Sequence, residues 1–538
     1  MRWRVCRAAV AAAFLFCLET SAEARDAVVA RRFMVAAAHP LAVEAGYGVL
    51  KRGGSAVDAA IAVQLVLGLV EPESSGIGGG AFLLHWSEKE RRLRSYDGRE
   101  TAPAAARPDR FLKNNQPMDF LEAAVGGRSV GVPGVLRLLE LAHRRHGRLP
   151  WSELFADAIR LAEEGFPVSP RLRVLLNDER FLTDDLEARK VYYAGGKNII
   201  NPEYAKTLQT IAERGADAFY RGAIAADIVR AVRSNARPGD LTAADLESYR
   251  ALERAPLCGP YRRWRVCSMG PPSSGGVTVL QILGLLERTA FAASPPRSAT
   301  AVHYFSEAGR LAYADRARYL GDPGFVVVAT EKLLGKKYLD ERAKLITGRS
   351  MRLAPAGDPE AFGTSHLSIV DAAGDAVSMT TTIEAGFGSR IMVRGFLLNN
   401  QLTDFDFAPG LPNALAPGKR PRSSMAPTLV FSGERLEMVL GSPGGPNIIN
   451  YVAKALVGVL DWKLDLQSAV ELPNFGSRNG PTLIEKDSAF EAFLDELKAR
   501  GHAVDTVQLT SGLHGIERVP GGWHGAADGR REGVARGD

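Results

Sequence analysis

The glycine-rich stretch of residues 71–80 has a composition that could bind a phosphate group. Glycine permits positive φ and close backbone approach, which anion-binding loops require. The phosphate-binding fingerprint, however, has a strand before it and a helix after it. Here helical spacing precedes Glu71, and the strand-like run 81–86 follows Gly80. The order of elements therefore argues against a nucleotide-binding loop.

A second stretch, 363–383, places two threonine hydroxyls near each other. Two β-rich alternating runs flank the loop 371–375, whose Gly374 suits the left-handed position of a hairpin bulge. Pairing about Ala373 sets Thr364 opposite Thr382 within one register step, so their side chains could meet. Threonine is also simply a good strand former, and the pattern alone fits both interpretations.

His143 and His146 stand three residues apart, as zinc ligands often do. Their neighbours Arg144, Arg145 and Gly147 instead indicate the end of a helix, where cations interact favourably with the helix dipole. The sequence contains neither His-Glu-x-x-His nor Cys-x-x-Cys. We therefore expect no metal and no cofactor.

The elements that must position these residues follow from hydrophobic periodicity. Helices are predicted at about 41–51 and 55–70, a mostly helical region at 132–250, a short strand at 264–269 and a helix from 277 to 286. Neither a tandem repeat nor a low-complexity linker marks a domain boundary, so one integrated fold is expected.

Composition excludes several classes of protein. The chain has 538 residues, 46% apolar and 24% charged, which suits a globular protein with a real core. A net charge of +6 without a basic block argues against nucleic acid or anionic membrane as partners. Four cysteines are too few for a disulfide scaffold. For Cys258 and Cys267, a disulfide and two free thiols both remain open.

The first 24 residues have the pattern of a signal peptide. Arg2, Arg4 and Arg7 precede the apolar run 8–18, which is too short to span a bilayer, and 22–24 form a small-x-small cleavage site. We expect export to the periplasm or medium, with no membrane anchor after the signal is removed.

At 364–368, Thr-Ser-His-Leu-Ser, the chain resembles the γ-glutamyltranspeptidase family, whose members carry such a block at a self-cleavage point. Further matching blocks lie at 58–62, 71–80, 99–103, 271–276, 398–404, 420–425 and 441–445. The resemblance covers nearly all of 34–535, including the block 525–532.

The resemblance implies an α+β fold, a four-layer αββα sandwich of the N-terminal-nucleophile hydrolase type. It implies a precursor that cuts its own Gly363–Thr364 bond. The expected parts are a signal peptide at 1–24, a large subunit at 25–363 and a small subunit at 364–538 that together form a heterodimer. Cleavage would free an α-amino group on Thr364, so this residue could serve as both nucleophile and base.

By the same resemblance, Thr382 hydrogen-bonds the nucleophile, and the amides of Gly444 and Gly445 form the oxyanion hole. The substrate-binding residues implied are Arg99, Ser423 and Ser424 for an α-carboxylate, and Asp404 and Gln401 for an α-ammonium. An arginine fork can bind a carboxylate through two parallel hydrogen bonds.

Two departures from the family stand out. Glu384 occupies a position where better-known transpeptidases have Asn, which adds a negative charge beside the ammonium site. Only 18 residues separate Asp404 from Ser423, which implies an open site without a lid loop. Such sites occur in relatives that act on larger substrates.

The expected function is that of a γ-glutamyltransferase and glutathione hydrolase acting on small γ-glutamyl compounds such as glutathione. Alternatives within the family are a cephalosporin or glutaryl-type acylase and a poly-γ-glutamate hydrolase. An alternative from a different class is a non-catalytic binding protein that retains the fold.

Overall fold

The computed structural model describes residues 26–353 and 363–538, so the predicted signal peptide at 1–24 lies outside the described residues. Two seven-stranded antiparallel sheets form the centre of the molecule. The first has the spatial order Val28–Ala30, Gly522–Ala527, His514–Val519, Arg435–Gly441, Thr428–Ser432, Trp264–Ser268 and Leu257–Tyr261. The second has the order Val534–Gly537, Met34–Ala37, Gly363–Val370, Ala376–Glu384, Gly80–Ser87, Arg92–Gly98 and Leu252–Arg254.

Helices cover the outer face of each sheet. Those of nine residues or more are Pro40–Lys51, Ala56–Val70, Val135–His146, Ala156–Glu164, Pro170–Asp178, Pro202–Arg214, Gly222–Arg233, Gly275–Leu286, Ala299–Tyr319 and Ile448–Leu460. The predicted helices near 41–51, 55–70 and 277–286 are confirmed, as are the helical region after 132 and the strand near 264–269.

Three apolar clusters hold four layers together. Between the sheets, Trp86 packs against Phe431 with ring centroids 4.8 Å apart. The helices before residue 233 pack on the second sheet. The helices Gly275–Leu286, Ala299–Tyr319 and Ile448–Leu460 pack on the first. The predicted four-layer αββα sandwich is confirmed.

The threonine-bearing hairpin forms as expected. Gly374 has φ +84°, and the register pairs Ser365 with Thr381 and Ile369 with Val377. A bulge follows, after which Gly363 pairs with Glu384. The strand Gly363–Val370 lies in the interior of its sheet, so the segments before and after the expected cleavage point share one fold.

The open question about the two cysteines is answered by the register. Cys258 and Cys267 lie directly opposite each other on paired strands and are joined by a disulfide. Among the residues described, no helix combines the length and apolar character needed to cross a membrane.

Candidate active site

One cavity of about 960 Å³ gathers the predicted site residues. Its wall contains Thr364, Thr382, Arg99, Glu384, Gln401, Asp404, Ser423, Ser424 and Gly445. Gly444, the remaining predicted residue, precedes Gly445 in the chain. The cavity is therefore built from segments on both sides of the expected cleavage point.

Thr364 is 3% exposed and lies at the bulge, one residue after the strand begins at Gly363. Its carbonyl oxygen accepts a hydrogen bond from Arg531 Nη1 at 3.0 Å. The next residue, Ser365, donates its hydroxyl to Glu71 Oε2 at 2.6 Å. Neighbouring side chains on both sides of the strand thus fix the backbone at Thr364.

The glycine-rich stretch lies behind this strand and has a packing role. Gly78 and Gly79 lie so close to the backbone of Leu397 and Thr382 that a Cβ at either position would clash. The argument from sequence against a phosphate loop is consistent with this placement. Burial raises the pKa of Glu71, which also accepts from Arg171 Nη1 at 3.2 Å.

Thr382 is 3% exposed and lies on the neighbouring strand. Its hydroxyl oxygen accepts from the amide of Glu384 at 2.8 Å. Glu384 has φ +82°, and its carboxylate accepts from the Asn400 side chain and, at 3.2 Å, from Thr403. The departure from the family pattern therefore places a buried carboxylate in the cavity wall.

Arg99 and Asp404, predicted to bind opposite charges on a substrate, form an ion pair with each other. Arg99 is fully buried and also donates to the carbonyls of Pro421 at 3.2 Å and Arg422 at 3.0 Å. Gln401 Nε2 donates to Asp404 Oδ2 at 2.7 Å. The site thus holds a positive and a negative group side by side.

The two serines lie next to this pair. Ser423 accepts from the amide of Met425 at 3.1 Å, and Ser424 accepts from Arg316 Nη2 at 2.8 Å. The residues between Asp404 and Ser423, expected to leave the site open, contribute Phe405, Phe407 and other side chains to the wall.

Gly444 and Gly445 form a turn at the other side of the cavity. Their φ values are +127° and +54°, a left-handed conformation that favours glycine. A Cβ on Gly444 would lie 2.5 Å from the Tyr451 ring. Tyr313 donates its hydroxyl to the carbonyl of Pro446 and so holds the turn in place.

The histidines expected not to bind metal have other partners. His143 Nε2 lies 2.9 Å from the carbonyl of Leu149, and His146 Nε2 lies 2.6 Å from the Tyr96 hydroxyl. In the described part of the chain, one other group, His303, Glu307 and His502, has the separation of metal ligands. Because Arg310 forms an ion pair with Glu307 at 2.9 Å, a cation already occupies this group.

The sequence profile of the family described as Gamma-glutamyltranspeptidase matches residues 42–537. The chain belongs to the γ-glutamyltranspeptidase family. It is 36% identical over 547 residues to the glutathione hydrolase proenzyme of Bacillus subtilis (strain 168), covering 96% of this chain and 93% of the relative. It is 36% identical over 523 residues to the Acylase ACY 1 proenzyme of Pseudomonas sp. (strain SE83), covering 94% and 93%.

Solved structures of proteins from this family also superpose on the chain. The cephalosporin acylase from Bacillus halodurans superposes with a TM-score of 0.85 at 28% identity, covering 96% of this chain and 97% of that one. Helicobacter pylori γ-glutamyltranspeptidase superposes with a TM-score of 0.55 at 34% identity, covering 57% and 90%. The fold is thus the N-terminal-nucleophile hydrolase fold of this family.

Within this family fold, the sequence analysis missed three residues of the site. Tyr313 and Arg316 lie on the helix Ala299–Tyr319, where no motif distinguishes them from scaffold. Arg531 lies in the block 525–532, which carried the resemblance but suggested no contact with Thr364. The high arginine content of that block was the one available signal.

Proposed function

We propose that this enzyme hydrolyses γ-glutamyl amides such as glutathione and transfers the γ-glutamyl group to amino acids or peptides through an ester on Thr364. The observation that carries the proposal is the Arg99–Asp404 pair in the same cavity as Thr364. A γ-glutamyl group carries an α-carboxylate and an α-ammonium, and this pair offers the matching charges.

Maturation would begin with cleavage of the Gly363–Thr364 bond. The Thr364 hydroxyl attacks the Gly363 carbonyl carbon, the C–N bond breaks and the resulting ester is hydrolysed by water. The product has a large subunit of 25–363 and a small subunit of 364–538. The freed α-amino group has an ordinary pKa of about 7.7–8.0 and can accept the hydroxyl proton near neutral pH.

In turnover, the Thr364 hydroxyl loses its proton to its own α-amine and attacks the γ-carbonyl carbon. The Gly444 and Gly445 amides would stabilise the negative oxygen that develops, and Thr382 would orient the nucleophile. The amide nitrogen leaves with the proton. Water or an amine then attacks the ester and regenerates Thr364.

Substrate binding would exchange partners in the Arg99–Asp404 pair. The α-carboxylate takes the guanidinium together with Ser423 and Ser424, while the α-ammonium takes Asp404 and Gln401. Because Glu384 adds to the wall a second carboxylate, which is buried, we expect the site to favour substrates that carry the ammonium group.

The relatives named as acylases support a second candidate, a glutaryl-type or cephalosporin acylase. The test compares γ-glutamyl-p-nitroanilide with glutaryl-p-nitroanilide, which lacks only the α-ammonium. Preference for the γ-glutamyl compound supports the proposal, and preference for glutaryl supports the acylase. Turnover of neither by the cleaved protein would indicate a binding protein.

Export and cleavage are proposed from the sequence pattern at 1–24 and the relatives' names as proenzymes. Terminal sequencing of the mature protein should give one chain that starts at Arg25 and another that starts Thr-Ser-His-Leu. Thr364→Ala should remain a single uncut chain. Cutting of that variant at the same bond would contradict the proposal.

A further inference from the structure

Arg316 lies in the cavity wall and differs in its partners from three other arginines there. Arg99 pairs with Asp404, Arg342 with Asp315 at 3.0 Å, and Arg422 with Asp406 at 3.1 Å. Arg316 Nε donates to Ser274 Oγ and its Nη2 to Ser424 Oγ, both at 2.8 Å. Within the described residues, no carboxylate lies within ion-pair distance of Arg316.

A half-buried guanidinium whose hydrogen-bond partners are all neutral is incompletely compensated. Burial, followed by repulsion from Arg422, lowers the pKa of Arg316 to about 10, so the group still carries its charge at neutral pH. Asp404 and Asp406 act on Arg316 only at longer range, and Asp404 is itself paired with Arg99. Arg316 therefore adds a positive charge beside Ser424 that no carboxylate of the described residues contacts directly.

The hydrogen bond also determines what Ser424 can do. A serine hydroxyl has one proton to donate and two acceptor lone pairs. Because Arg316 donates to Ser424 Oγ, one lone pair is occupied by the protein and the proton remains for another acceptor. Ser274 has its proton committed, because it donates to the Ser423 carbonyl at 2.5 Å.

We propose that Arg316 is a positioning and specificity-determining residue for the substrate's α-carboxylate. Its hydrogen bond to Ser424 leaves the proton of that hydroxyl available for donation to the carboxylate. Its positive charge adds to that of Arg99, which is paired with Asp404. This inference rests on the proposed γ-glutamyl function. It predicts a site that selects acyl groups carrying a carboxylate at the α-carbon, beyond the selection made by Arg99.

The test measures kcat and KM of the cleaved enzyme for γ-glutamyl-p-nitroanilide and 4-aminobutyryl-p-nitroanilide, which differ only in the α-carboxylate. Arg316→Gln should lower kcat/KM for the γ-glutamyl compound by about 10- to 100-fold, mainly through KM. The 4-aminobutyryl value should change less than about twofold, so the preference between the two substrates falls.

The matched control is Arg297→Gln, an exposed arginine just before the same helix and outside the cavity wall. It should leave the preference unchanged. Equal losses on both substrates for Arg316→Gln would reveal a merely structural role and overturn the inference, as would no loss at all. If Arg316→Gln is not cleaved, Arg316→Lys replaces it, with the same selective rise in KM expected and the same equal loss contradicting it.

The same measurements separate the role of Arg316 from the proposed function. Wild-type turnover of γ-glutamyl-p-nitroanilide with an unaltered preference in Arg316→Gln removes only the role of Arg316. Absence of wild-type turnover of this compound removes the proposed function, and this inference with it.

Discussion

Arginine side chains are enclosed in two separate regions of the molecule, with different surroundings. In the first, which we call the closed cluster, Arg310 donates to Glu307 Oε1 at 2.9 Å and to Thr482 Oγ1 at 2.8 Å. His502 Nδ1 lies 2.8 Å from the same hydroxyl, and its Nε2 shares a hydrogen bond with His303 Nδ1, also at 2.8 Å. The groups of this cluster are bonded to one another and to nearby backbone.

The second, which we call the cavity cluster, consists of Arg99, Asp404, Gln401, Arg316 and Ser424. Its members also bond to each other, but they line the cavity that contains Thr364. Under the proposed function, an incoming zwitterion would exchange partners with them. From this comparison we expect an arginine in the protein interior to act in function where a ligand can replace its partners, and to act mainly in stability elsewhere.

The largest effect is expected from Arg310→Met in the closed cluster. Removing one partner of a buried ion pair leaves Glu307 unpaired, so the free energy of unfolding should fall by about 3–5 kcal/mol. Urea unfolding of the mature protein measures this, with the exposed Arg349→Met as control. The kcat/KM of the folded variant should be unchanged. A variant that kept wild-type stability but lost turnover would show that the closed cluster acts in function and not in stability.

Arg99→Ala in the cavity cluster should show the reverse pattern. The α-carboxylate would lose its charged partner, so the transition-state stabilisation calculated from kcat/KM should fall by about 2–5 kcal/mol. Self-cleavage should continue, because it does not use that carboxylate. Arg99→Lys should recover part of the loss, since a point charge cannot make the two-pronged contact. Unchanged steady-state kinetics in Arg99→Ala would show that this residue does not bind substrate.

Glu100, which lies beside Arg99, should make the free energy of unfolding fall as the pH rises toward 8. Burial raises its pKa from 4.5 to about 8. As pH rises from about 4.5 to 8, the folded protein retains a proton that the unfolded chain releases, so stability falls. Glu100→Gln should remove about 2–4 kcal/mol of that fall. Unfolding curves at several pH values measure it, and parallel pH profiles for the two proteins would refute it.

His502, in the closed cluster, should act in the opposite direction. Its removal should change only part of the pH dependence at acid pH, because the pKa values of other buried histidines are lowered as well. Burial lowers its pKa from 6.5 to about 3. As pH falls from about 6.5 to 3, His502 binds a proton in the unfolded chain but stays neutral in the folded protein, so the free energy of unfolding falls. His502→Gln should flatten this acid limb of Tm against pH. An equally steep limb in the variant would show that His502 is not responsible.

The sequence predicts contacts between residues close together in the chain better than contacts between residues far apart in it. Local patterns predicted the helices near 41–51 and 55–70 and the hairpin register about Ala373. The bulge at Thr364 was not predictable, because it depends on how Gly363 pairs with Glu384. Whether Cys258 and Cys267 are bonded became clear only from their register.

The candidate site was predicted as a set of residue types through the family resemblance, while its internal contacts were not. The pairing of Arg99 with Asp404 joins residues 305 positions apart, and the bond from Arg316 to Ser424 spans 108. Periodicity carries no information on such distances. The sequence therefore supplied the charged residues and the proposed nucleophile, but not the network of hydrogen bonds around them.

In the proposed mechanism, Thr364, freed by cleavage, carries the acyl group. The most direct measurement is to quench the mature enzyme during turnover of γ-glutamyl-p-nitroanilide and map the covalent adduct by mass spectrometry. We expect a γ-glutamyl group on the peptide that begins with Thr364, and none on the uncut Thr364→Ala chain. Turnover by that uncut chain, or an adduct on a different residue, would contradict it.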